Sequence, residues 1–171
     1  MDIKIREYQQ TDYDACRSLQ GELAQYHAKI YEDPSIAGED PGRGFDEYLT
    51  RKDRCCTWVV ESGGKTVGFA GLLATVGEEG TAEIEPVVIS SKSRGAGIGT
   101  KLIEHIIGEA KTRGFCFLTI RPVLRNEKAF ALYVELGFNH VGSIELFQEL
   151  LPESQRSWKS GITIYGKELK Y

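Results

Sequence analysis

The sequence predicts a mixed α/β (α+β) domain, because short apolar runs rich in β-branched residues alternate with amphipathic helical stripes. The segments follow the order β-α-α-β-β-β-α-β-α-β-β, with seven strands and four helices. A chain of 171 residues can bury a sizeable core, and no repeat or linker divides it. Residues 1–171 are therefore expected to form a single domain.

The N-terminal part is predicted to contain a strand, two helices and a hairpin. Residues 3–6 alternate as a strand does, and Cys16, Leu19, Leu23 and Tyr26 follow the spacing of a helix. Residues 32–44 carry several helix breakers and no periodicity, which is typical of a loop. The remaining predicted elements are a short helix at 45–52 and strands at 57–61 and 67–76, joined by a glycine turn.

The C-terminal part is predicted to alternate strands and helices. Apolar residues at helical spacing mark a helix from Ile98 that ends near Gly114, and a second helix occupies 126–136. The predicted strands are 81–90, 115–123, 141–150 and 162–169. The last two are expected to pair as a hairpin with a long charged connection at 152–159.

A glycine-rich turn follows the strand at 81–90 and precedes a helix, which is an arrangement that binds anions. The spacing of Gly95, Gly97 and Gly99 excludes the dinucleotide fingerprint, and Gly99-Thr100-Lys101 reverses the order that a P-loop needs. Residues 94–99 read Arg-Gly-Ala-Gly-Ile-Gly. This segment resembles the pyrophosphate-binding motif, Arg/Gln-x-x-Gly-x-Gly/Ala, of the GNAT superfamily of CoA-dependent N-acetyltransferases.

A second motif supports this resemblance. Residues 126–138 match the pattern Asn-x-x-Ala-x-x-Leu-Tyr-x-x-x-Gly-Phe, which is similar to the helix that follows the fifth strand in that superfamily. The two motifs are correctly separated, and the resemblance extends from about residue 3 to about residue 169. It implies the GNAT acyl-CoA N-acyltransferase fold, with a central mixed seven-stranded sheet flanked by about four helices. It also implies acetyl-CoA as cosubstrate and no metal.

The resemblance implies acyl transfer from a thioester to an amine, which needs a base because an amine of pKa about 10.4 arrives protonated. Glu83 and Glu85 are two apart on one strand, so they are expected to share a face of the sheet. Either can be the base, with a slight preference for Glu83, or both can instead bind the substrate. Tyr133 resembles the tyrosine that protonates the departing CoA thiolate in the family.

The resemblance also implies which residues bind the cofactor. A bulge near Val88 and Ile89 is expected to free backbone groups for the thioester and the pantetheine arm. Backbone N–H groups of the glycine turn are expected to bind the pyrophosphate beside Arg94. The predicted cofactor-binding residues are Val88, Ile89, Arg94, Gly95, Ala96, Gly97, Ile98, Gly99, Thr100, Asn126 and Tyr133.

Charge and composition indicate the partners. Residues 1–86 carry a net charge of −8 and the remainder +4, which suits a cationic acceptor amine and a polyanionic cofactor. An acidic rim is expected at Glu32, Asp33, Glu39, Asp40, Asp46 and Glu47. The acidic total argues against a nucleic-acid binder, and no apolar run suggests a membrane partner. The sequence further suggests a cytoplasmic protein with reduced cysteines, and a homodimer is compatible with the fold. An acyl-CoA sensor without catalysis remains the alternative function.

Overall fold

A computed structural model describes residues 2–150 and 158–171 of the protein. The elements are β1 (Ile3–Glu7), α1 (Tyr13–Tyr31), α2 (Arg43–Leu49), β2 (Arg54–Ser62), β3 (Lys65–Ala74), β4 (Thr81–Ile89), α3 (Ile98–Thr112), β5 (Phe117–Thr119), α4 (Glu127–Glu135), β6 (Ser160–Ile164) and β7 (Lys167–Lys170). Strands β1 to β5 form one sheet in chain order. The first three pairings are antiparallel and the β4–β5 pairing is parallel, so the predicted mixed α/β fold is confirmed.

The sheet is covered on both faces, and each face has its own apolar core. On one face α3 packs Ile98, Leu102 and Ile106 against strand residues that include Trp58 and Leu72. On the other face α1 and α2 pack against the strand side chains that point away from α3. This second core contains Cys16, Leu19, Phe45, Tyr48, Val59, Phe69, Leu73 and Val88. Side chains alternate between the faces of a strand, which explains why consecutive apolar residues in β2 and β3 are all buried.

The helix ends that glycines predict are confirmed. Gly114 follows α3 with a φ of 83°, and the N–H of Phe115 donates to the Ala110 carbonyl at 3.1 Å. Gly137 follows α4 with a φ of 97°, and Phe138 donates to Tyr133 in the same way. Both helices end in a glycine cap, whose positive φ only a residue without Cβ adopts freely. None of the helices in the described part of the chain is long and apolar enough to cross a membrane.

The predicted seven-stranded sheet is wrong in its C-terminal part. Residues 141–150 form no strand, and β6 and β7 make a separate two-stranded sheet inside residues 160–170. Tyr165 and Gly166 both have positive φ, 50° and 74°, which builds a tight hairpin turn. The apolar residues in 141–150 favour a strand, but a strand also needs a partner edge, which a local pattern does not specify. The predicted connection at 152–159 lies mostly outside the described residues.

Candidate active site

Strand β4 separates from β5 directly after Glu83. The parallel pairing joins Thr81 to Phe117, Ala82 to Leu118 and Glu83 to Thr119, and β5 then ends. The predicted fifth strand at 115–123 is therefore too long by several residues. Beyond Glu83 the edge of β4 that faces away from β3 has no strand beside it in the described part of the sheet. This opening is the place where a ligand can reach the backbone of β4.

A bulge interrupts the pairing of β4 with β3 at the same level. Leu72 pairs with Ile84 and Ala70 with Val87, so two residues, Glu85 and Pro86, face one residue of β3. The expectation of a bulge near Val88 and Ile89 is therefore wrong by about three residues. Because the extra residue changes the alternation, Ile84 and Val87 both pack on the α3 side, whereas Val88 packs on the α1 side.

The register decides which backbone groups face the opening. The N–H of Ser90 donates to the Val67 carbonyl at 2.8 Å, so Val88, two residues earlier, also bonds to β3. The N–H and C=O groups of Val87 and Ile89 then point away from β3. Val87 and Ile89, rather than Val88, thus offer backbone groups to a ligand, while Val88 contributes a buried side chain to the core.

The glycine turn has the geometry of an anion site. Gly95 and Gly97 adopt positive φ, 78° and 73°, and a Cβ at either position would meet no heavy atom within 4 Å. The first intrahelical bond of α3 runs from the Lys101 N–H to the Gly97 carbonyl, 3.2 Å long. The N–H groups of residues 98–100 precede that bond and remain available, at the positive end of the helix dipole. These groups fit a pyrophosphate.

Helix α1 supports the glycine turn through contacts that the sequence did not reveal. Glu22 accepts a hydrogen bond from the Ser91 N–H at 2.7 Å, and Arg94 lies over the Tyr26 ring at 5.0 Å. Burial raises the pKa of Glu22, but its hydrogen bonds with Ser91 and Ser90 outweigh this effect and lower the pKa overall. Arg94 also donates to the Ile89 carbonyl at 3.0 Å, on the open side of β4. No motif marks Glu22 or Tyr26, because their partners are far away in the chain.

Helix α4 brings Asn126 and Tyr133 to the same region. The Asn126 side chain caps α4 by accepting from the Ala129 N–H at 3.3 Å, and it also accepts from the Tyr26 hydroxyl at 3.4 Å. Leu132, beside Tyr133, approaches β4 and α3: a Cβ on Gly99 would lie 3.6 Å from Leu132 and 3.7 Å from Ile89. Burial raises the pKa of Tyr133 to about 12, so its phenol stays protonated at neutral pH.

Glu83 is a buried carboxylate at the opening of the sheet. Its side chain is 9% exposed, and one oxygen lies 2.9 Å from the guanidinium of Arg121. Burial raises the pKa of Glu83, and the charge of Arg121 opposes that rise. A carboxylate whose pKa is raised by burial is a better proton acceptor than one in water.

Glu85 differs from Glu83 in its exposure. Its side chain is 50% exposed and lies 3.1 Å from Arg51, which also binds Asp53 through two hydrogen bonds of 3.0 and 2.7 Å. Arg51 carries charge close to both glutamates, since it acts on the pKa of Glu83 as well. The site thus distinguishes two carboxylates that the sequence could not separate.

The predicted acidic rim is largely paired within the protein. Arg17 contacts both Asp40 and Asp46, and Asp46 also accepts from the Tyr13 hydroxyl at 2.7 Å. The other contacts are Arg43 with Glu47 at 2.8 Å, Lys159 with Glu32 at 3.8 Å, and the Ser35 N–H with Asp33 at 2.9 Å. The arginine and lysine partners reduce the net negative charge that the rim presents to an acceptor.

Comparison with known proteins identifies the family of this chain. The family model described as acetyltransferase (GNAT) family matches residues 15–138, well over half of the chain. The chain therefore belongs to the GNAT acetyltransferase family.

The similarity to individual relatives is modest. The chain is 32% identical over 114 residues to an uncharacterised N-acetyltransferase of Methanocaldococcus jannaschii, which covers 56% of this chain and 50% of that protein. It is 28% identical over 144 residues to glucosamine 6-phosphate N-acetyltransferase of Trypanosoma brucei brucei, covering 81% and 90%. The structure of AAC(6')-Iy in complex with a bisubstrate analogue, CoA-S-monomethyl-acetylneamine, shares the fold, with a TM-score of 0.63, 15% identity and 87% and 99% coverage. The chain spans about half the length of several curated relatives that it matches.

Proposed function

We propose that this chain transfers an acetyl group from acetyl-CoA to a primary amine of a small molecule or peptide, by direct attack within a ternary complex. Residues 1–171 are proposed to act as one N-acetyltransferase domain. The observation that carries the proposal is the buried Glu83 at the level where β4 leaves β5, on the strand that leads into the glycine turn. Family membership and the names of the relatives support amine acetylation.

The cosubstrate fits the groups on the open side of β4. The free N–H groups of residues 98–100, together with the turn at Gly95, Ala96 and Gly97, are proposed to bind the pyrophosphate. Arg94 is proposed to bind it bidentately after leaving the Ile89 carbonyl. The N–H of Val87 or Ile89 is proposed to polarise the thioester carbonyl, as an oxyanion hole does. Asn126 is proposed to contact the cofactor from the start of α4.

Glu83 is proposed to accept a proton from the acceptor ammonium, directly or through a water. Free carboxylates have a pKa of about 4.3 and amines one of about 10.4, so this transfer is uphill. Each unit by which burial raises the pKa of Glu83 lowers the transfer energy by about 1.4 kcal/mol. The neutral amine then attacks the thioester carbonyl, the C–S bond breaks, and CoA leaves as its thiolate. The second proton on the amine nitrogen passes to water as the amide forms.

Tyr133 is proposed to donate a hydrogen bond to the departing thiolate. With the phenol pKa at about 12 and a thiol near 8.5, complete proton transfer is uphill by roughly 5 kcal/mol. A hydrogen bond, by contrast, stabilises the negative charge without that transfer. With this pKa the phenol stays protonated through the neutral and mildly alkaline range.

The test is CoA thiol release from acetyl-CoA across a panel of primary amines. The panel includes cationic, neutral and anionic acceptors, because the paired rim weakens the expectation of a cationic one. Glu83→Gln is expected to lower kcat by at least about 100-fold and Tyr133→Phe by about 10- to 100-fold. Glu85→Gln is expected to have the smallest effect. Wild-type rates in the first two variants contradict the mechanism, and acetyl-CoA binding without turnover on any amine favours the sensor alternative.

A further inference from the structure

Arg121 is placed to act on the proposed base. It lies two residues beyond the end of β5, and the last β4–β5 pair joins Thr119 to Glu83. The guanidinium of Arg121 therefore stands at the level where the two strands separate, 2.9 Å from the Glu83 carboxylate. The two side chains differ sharply in exposure, 74% for Arg121 and 9% for Glu83.

Three other charged groups act on Glu83. Glu85 comes from the same strand, and Arg51 and Asp53 come from the connection between α2 and β2. Arg51 is engaged by Asp53 in a two-point contact and by Glu85 at 3.1 Å. Among the described residues around Glu83, Arg121 is thus the cation in direct contact with its carboxylate. Glu85 and Asp53 both favour protonation of Glu83, which makes that contact more important.

We infer that Arg121 is a positioning residue that holds the Glu83 carboxylate ionised and aimed at the opening of the sheet until an acceptor amine replaces it. The inference rests on the proposed function, in which Glu83 is the base. A buried carboxyl without a cation takes up a proton and loses its ability to act as base. The Arg121 guanidinium is 74% exposed, so water can solvate it when the ammonium of an acceptor takes its place against Glu83. Arg121 therefore suits a role in which the partner must be exchanged.

The experiment measures kcat/KM against pH from 5 to 10 with the best acceptor of the panel. Arg121→Gln is expected to move the acidic limb of the kcat/KM profile to higher pH by about one unit or more. The reason is that an adjacent opposite charge shifts the pKa of a carboxyl by about 1–3 units. At high pH, where Glu83 ionises in the variant too, activity is expected within a few-fold of wild type. Arg121→Lys keeps the charge and is expected to restore most of the wild-type profile. Arg43→Gln is the matched control, because Arg43 is 75% exposed and pairs with exposed Glu47.

A limb that stays in place in Arg121→Gln overturns the inference, as does a uniform loss of rate at every pH, which indicates a merely structural role. A carbon NMR titration of the Glu83 carboxyl without substrates separates this from a failure of the proposed function. If that carboxyl titrates higher in Arg121→Gln while the limb stays in place, the ion pair acts as described but Glu83 is not the base. If the titration is unchanged, Arg121 does not control the charge of Glu83.

Discussion

Gly71 allows β3 to pass the bulge in β4, and replacing it with alanine tests that packing. Gly71 is the single β3 residue opposite Glu85 and Pro86. A Cβ on it would lie 2.1 Å from the Tyr48 hydroxyl oxygen and 2.5 Å from the Glu85 carbonyl oxygen. Contacts this short are not tolerated, so either Tyr48 or the bulge must move.

Neither group can move freely. Tyr48 is 5% exposed, its ring stacks on buried Phe45 at 6.0 Å, and its hydroxyl lies 2.6 Å from the Thr57 hydroxyl. Overpacking of a core costs about 1–3 kcal/mol, and loss of the buried Tyr48–Thr57 hydrogen bond adds about 1 kcal/mol. Gly71→Ala is therefore expected to lower the free energy of unfolding by about 2–4 kcal/mol. For a chain of this length Tm falls by roughly 5–15 °C.

Urea unfolding followed by circular dichroism measures the change. Gly108→Ala is the matched control, because Gly108 lies inside α3 and a Cβ there meets no atom within 4 Å. The control is expected to stabilise the protein by about 0.5–1 kcal/mol. Adding Tyr48→Phe to Gly71→Ala removes the closest contact and is expected to recover part of the loss. The free energy of unfolding is extrapolated to zero urea for each variant. If the value for Gly71→Ala lies within about 0.5 kcal/mol of wild type, the packing described for the bulge is refuted.

Three further predictions concern charge and backbone geometry. Burial raises the folded-state pKa of Glu83, so its ionised form destabilises the fold above the ordinary glutamate pKa. Glu83→Gln should therefore increase the free energy of unfolding at pH 7 by about 0.5–1 kcal/mol. This gain in stability should shrink at pH 4, where Glu83 is partly protonated. A gain that is larger at pH 4 than at pH 7 in urea unfolding contradicts the raised pKa. Two hydrogen bonds from Arg6, of 2.7 and 2.8 Å, lower the pKa of Asp12. Asp12→Asn is expected to cost about 2 kcal/mol at pH 7 and less as the pH falls below 3.8; an equal loss at pH 3, measured by urea unfolding, counts against this ion pair. Gly97→Ala places a Cβ at a φ of 73° and is expected to destabilise by about 1–2 kcal/mol in thermal melts and to weaken CoA binding in calorimetry. Unchanged CoA affinity contradicts the site at the turn.

Local features were predictable because neighbouring residues decide them. The glycine after α3 and the one after α4 mark helix ends, and both adopt the positive φ that the pattern predicts. Apolar periodicity likewise located α1, α3 and α4 within a few residues. The turn between β4 and α3 was predictable for the same reason, since glycine spacing and a following amphipathic helix are read along the chain.

Features that depend on pairing were not predictable in the same way. The apolar residues in 141–150 favour a strand, yet the strands at the end of the described chain are β6 and β7, which pair with each other. The bulge lies at Glu85 and Pro86 because β3 presents one residue there, which only the register determines. The acidic rim looked available in the sequence because its arginine partners, Arg17 and Arg43, are identified only by contact.

The sequence by itself determined the α/β class, the glycine turn between β4 and α3, and the two candidate carboxylates, since each depends on residue type and short spacing. Only the tertiary structure distinguishes Glu83 from Glu85 by exposure. It also places Arg121 against the first and Arg51 against the second, and it turns the backbone groups of Val87 and Ile89 rather than Val88 to the open side of β4. Burial and ion pairing join residues that are tens of positions apart. Such contacts form when strands and helices pack, and no local pattern encodes them.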